Sequence, residues 1–146
     1  MPSPCPPGGT DLSFDQEIDR FDRFAGDLVR LEPFSRDALH ETVVRFAALV
    51  EHHLELAAQV SDGRRGTDGG ALARRGVLHR EHERFRASVA ELRGLLAVVE
   101  AEDHGGHRQA LGQYGRILAE ALRAHCRDEG AAGATDVPLL ASGKHN

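Results

Sequence analysis

Apolar residues recur along the chain at alternating steps of three and four, the spacing that sets one face of a helix against a core. The run Leu39, Val43, Phe46, Val50, His53, Ala57, Val60 forms one such stripe, and Leu78, His82, Phe85, Val89, Leu92, Leu96, Val99 forms another. Later in the chain Leu111, Leu118 and His125 fall seven apart, with Leu122 and Glu129 alongside. Near the start, Ile18, Asp22, Ala25 and Val29 make a seam beside Phe14, Phe21 and Leu28. The period predicts four amphipathic helices.

Their ends are marked by local chemistry. Ser13 and Gln16 have the spacing of a capping box, and Pro33 stops the first helix. Ser35 is an N-cap for the second, with Asp37 in its first turn, and that helix is expected to run to about Ser61. The polar, glycine-rich SDGRRGTDGG at 61–70 reads as a connection, after which a third helix runs from about Ala71 to Glu102. Asp103, Gly105 and Gly106 break the chain, and a fourth helix is expected to continue to about Glu129, with Gly130 suited to close it. Four long helices with short connections imply an all-α, up-down-up-down antiparallel four-helix bundle over 11–130. Residues 1–10 read as a disordered Pro/Gly-rich tail and 131–146 as a C-terminal tail without sustained period.

Composition narrows the class without changing it. A net charge of −5, with arginines interleaved among acids, excludes a nucleic-acid or anionic-membrane surface. No apolar run is long enough to span a bilayer, and the N-terminus lacks the pattern of a signal peptide. Two cysteines, Cys5 and Cys126, form neither a disulfide framework nor a CxxC pair, so a reducing cytoplasm is expected. Lys144 is the one lysine among 18 basic residues, the usage of a GC-rich, bacterial genome.

The inward stripes carry ionisable residues where apolar ones would be expected. Asp22, His53, His82 and His125 each take such a position, with Glu129 one turn beyond the last. In an antiparallel bundle, at ~1.5 Å per residue, their distances from the helix ends put all four within roughly 10 Å of one level. Unneutralised imidazoles and carboxylates in one buried layer are costly, and a metal ion both neutralises and ligates them. Spacing i,i+4 sets His125 and Glu129 on one face. A lone core histidine is more often bonded to a protein neighbour, so the layer as a whole carries the metal reading. His40, His104, His107 and His145 are expected at the surface, in loops or in the tail.

With these residues in view, EIDRFDRFAGDLVRL (17–31), FAALVEHHLEL, HREHERF and ALRAHCRDE resemble the four helices of the hemerythrin family and its HHE cation-binding branch, over about 12–130. The resemblance implies a non-haem di-iron site that binds or senses dioxygen or a related small oxidant without turning over an organic substrate. It implies His53, His82, His125 and Glu129 as ligands, with Asp22 as an oxygen ligand where the family has a histidine. The chain departs from the family at Ala57, where the second helix would carry a glutamate, and at Leu78, where the third would carry a histidine. Glu55, three after His52, and His79, three before His82, are the substitutes in reach. With this reduced set, a single iron or a zinc stands beside the di-iron expectation, and a metal-free bundle serving as an interaction or structural module is the alternative.

Overall fold

A computed structural model describes residues 13–63 and 69–141, with side chains placed over 13–59 and 76–128. The chain forms four helices: α1 (Phe14–Val29), α2 (Arg36–Gly63), α3 (Gly69–Ala101) and α4 (Gly105–Ala141). Each packs on its neighbour in sequence and α1 also packs on α4, so the four close into an up-down-up-down bundle. Among the described residues, no helix is long and apolar enough to cross a membrane. The expected tail at 1–10 lies outside the described residues, as do 64–68 of the connection and 142–146.

The inward stripes build one continuous core. Ile18, Phe21, Leu28, Leu39, Val43, Phe46, Val50, Val89, Leu92, Leu111, Leu118 and Leu122 are buried together, and Phe21 stacks on Phe46 with ring centroids 3.9 Å apart. One stripe shifts register. On α2, Leu54 is fully buried and His53 only half-buried. Steps of three and four drift against the 3.6-residue turn, so adjacent positions share the inward sector.

Helix ends follow the capping chemistry, with one difference on α4. Ser13 and Gln16 exchange the two bonds of a capping box, and the Ser35 hydroxyl accepts from the Ala38 N–H at 3.0 Å. The fourth helix does not close at Gly130 but continues to Ala141. A glycine inside a helix costs only about 1 kcal/mol and does not oblige the helix to stop. At the other end of the bundle, α1 closes with the Glu32 N–H on the Asp27 carbonyl and the Leu31 N–H on the Leu28 carbonyl, both at 2.9 Å. This paired closure places a left-handed residue at Leu31, whose φ is 61° and whose side chain is half exposed. A leucine there is strained where glycine is not. Leu31→Gly is expected to raise stability by about 0.5–1 kcal/mol, read as a higher denaturation midpoint in urea at unchanged m-value.

α1 and α4 approach each other closely through two glycines. A Cβ added at Gly112 would lie 2.6 Å from the Ala25 carbonyl oxygen and 2.9 Å from Leu28 Cβ, and one at Gly115 would lie 3.0 Å from the Phe21 ring. Two glycines one turn apart let the backbones meet. Ion pairs lace the outer faces: Arg123 bonds Asp19 and Asp22, Arg93 bonds Glu51, and Arg45 reaches the nearly buried Glu17 at 2.8 Å. The Arg93 guanidinium holds the Glu51 carboxyl below the usual carboxylate range.

Candidate metal centre

At the end of the bundle where α1 begins, α2 and α4 run toward their C-termini and α3 toward its N-terminus, bringing three imidazoles together from three helices. His82 of α3 and His125 of α4 are buried, at 4% and 1% exposure, and their ring centroids are 5.0 Å apart. His53 of α2 lies 6.2 Å from the His125 ring, nearly perpendicular to it. Apolar rings enclose the group: Phe14 stacks on His53 at 4.2 Å, and Phe85 meets His125 edge-on at 5.1 Å. The Nε2 atoms of both His82 and His125 are shut off from solvent.

A carboxylate completes the layer. Glu81 Oε1 sits 2.5 Å from His125 Nδ1, linking α3 to α4, and its side chain keeps 29% of its surface in water. A carboxylate on Nδ1 fixes the orientation of the ring, an arrangement commonly found behind metal-bound histidines. The stripe along α3 gives the step between Leu78 and Phe85 to His82, so Glu81 does not stand out in it. Glu81 satisfies the same pair of steps in the other order, three after Leu78 and four before Phe85. That ambiguity was the available signal.

The other expected ligands are placed elsewhere. Asp22, on the flank of α1, bonds Arg123 at 2.8 Å and lies 3.6 Å from Arg116, both on α4. A half-exposed carboxylate beside two guanidiniums is neutralised by them, and with Asp19 it pushes the Arg123 guanidinium still further up from its ordinary value. Glu55 and His79 are exposed. The Glu129 side chain lies outside the described residues, while its backbone continues α4 one turn beyond His125. Cys126, next to His125, is half-buried against the core.

A second group lies at the opposite end of the bundle. Among the described residues, Glu102, His104 and His107 offer ligand atoms that all lie within 4.8 Å of one another, at the turn between α3 and α4. No family model, curated protein or solved structure matches the chain.

Proposed function

We propose that the histidine layer holds non-haem iron and that the protein binds or senses dioxygen or a related small oxidant, in the manner of the hemerythrin family it resembles. The observation that carries this reading is the meeting of three imidazoles from three helices, two of them buried, with a carboxylate on the far nitrogen of one. Histidine nitrogens and carboxylate oxygens from facing helices are the donor set of iron and related cations in bundle cores. His53, His82 and His125 would hold the metal. Iron, once bound, supplies the redox chemistry that lets the site answer to an oxidant. The chain's own residues do the rest: Glu81 orients His125, while Phe14 and Phe85 keep the layer apolar and limit water. A cytoplasmic location accords with the same reading.

His53, His82 and His125 are the described donors of this layer, and an ion held there would draw further ligands from residues such as Glu129. Iron content after anaerobic reconstitution with ferrous iron, with an absorption spectrum taken before and after admitting air, tests the proposal. The expected result is one or two irons per chain and a charge-transfer spectrum that changes with air. Two irons with oxo-bridge bands mark a di-iron centre, and one without them marks a mononuclear site. No retained iron, together with a melting temperature indifferent to chelator, would replace this reading with a metal-free bundle acting as an interaction module. The pairing of Asp22 with arginines and the exposure of Glu55 and His79 are the observations that favour that second reading.

A further inference from the structure

At the far end of the bundle, the α3–α4 turn presents a second constellation of nitrogen and oxygen donors. Glu102 follows the last residue of α3, His104 precedes the first residue of α4, and His107 lies in the first turn of α4. Along α4, His107 and His125 are 18 residues apart, so roughly 27 Å of helix separates this group from the core histidines. The two centres can be loaded and broken independently.

We propose that Glu102, His104 and His107 form a surface site for a borderline divalent cation of the zinc type. Their ligand atoms lie mutually within 4.8 Å, and the His104 and His107 rings lie side by side with centroids 3.7 Å apart. His107 is prepared for the task. Its Nδ1 is 2.6 Å from the Glu102 backbone carbonyl, which can only accept, so Nδ1 carries the proton and Nε2 keeps its lone pair. The same bond ties the first turn of α4 to the residue that supplies the carboxylate.

His104 has a competing role. Its Nδ1 lies 3.1 Å from the Gly106 N–H and 3.3 Å from the His107 N–H, accepting from both as the cap of α4. Cation binding at Nδ1, whose lone pair makes the cap, exchanges those capping bonds for a metal bond as the ring turns out of the cap. The exposed ring has room for that movement. Asp103, adjacent to this group, is engaged by Arg108 at 2.7 Å and 2.8 Å, which leaves Glu102 as the carboxylate of the site. Two imidazoles and one carboxylate suit a tetrahedral ion whose remaining position is open to water. The positive end of the α4 dipole opposes a cation here, an effect that is screened at an exposed site.

Titration of the full chain with zinc chloride, followed by ring-nitrogen correlations of the histidines in 15N-labelled protein, tests the proposal. The His104 and His107 rings should shift together, and the paired variant His104→Asn/His107→Ala should bind zinc at this turn at least about tenfold more weakly. Asparagine keeps the cap of α4, so the variant retains its fold. Shifts confined to His53, His82 and His125 would overturn the turn site while leaving the core reading intact. Zinc binding at the turn unchanged in the paired variant would overturn it as well.

Discussion

Gly112→Ala is expected to lower the melting temperature by about 4–10 °C, and Gly94→Ala to raise it by about 2–3 °C. Both glycines lie inside helices, so intrinsic propensity favours alanine at each by about 1 kcal/mol. At Gly94, on the exposed face of α3, an added Cβ meets nothing within 4 Å and the propensity gain stands alone. At Gly112 the same methyl would lie 2.6 Å from the Ala25 carbonyl oxygen and 3.0 Å from the Val29 backbone nitrogen. Backbone atoms of α1 cannot rotate aside as a side chain would. The α1–α4 pair must separate, loosening Phe21, Ala25 and Leu28 in the core, and overpacking of this kind costs about 1–3 kcal/mol. Thermal unfolding of the two variants side by side checks the sign. A stabilised Gly112→Ala would mean that this contact does not set the spacing of the bundle.

His125→Leu is expected to reduce iron retained after ferrous reconstitution to a small fraction of the wild-type value, while the chelated protein keeps a stability within about 1 kcal/mol of wild type or above it. Leucine fills a similar volume in a site already walled by Phe85 and the neighbouring core. Glu81, one partner of the ring, is partly hydrated and is not stranded in an apolar interior. His82→Leu should act in the same direction from the facing helix. The contrast separates the two roles a buried imidazole can have. A ligand lost with little change in metal-free stability marks a centre maintained for its cation. Undiminished iron in both variants would place the metal elsewhere in the chain, and a large loss of stability at unchanged iron content would make the rings packing and hydrogen-bonding groups.

The turn site and the core layer illustrate different degrees of legibility. His82 and His125 lie on steps of three and four or of seven, and both are buried as that period predicts. His104 and His107 lie in a glycine-containing turn where no period applies, and the pattern that assigns them to surface or loop does not join them. Their proximity depends on the sharpness of the α3–α4 connection and on the helical turn that brings residues three apart to one side. Asp22 shows the opposite case. Its stripe position suggested a place among the histidines, yet Arg116 and Arg123 from α4 engage it. Which cation meets a carboxylate is settled by the rotation of one helix against another, a quantity that the period of a single helix does not contain.

The features legible along the chain are local and one-dimensional: four helices, the capped starts at Ser13 and Ser35, the stop before Pro33, and the faces turned inward. These follow from short-range hydrogen bonding and from the cost of exposing apolar stripes, both encoded within a few residues. The pairings come from how the helices pack on one another. Glu81 bonds His125 because α3 and α4 are neighbours at that level, Leu54 displaces His53 from full burial, and α1 approaches α4 through Gly112 and Gly115. Each depends on the relative rotation and spacing of two helices, and close packing fixes those for the whole bundle at once.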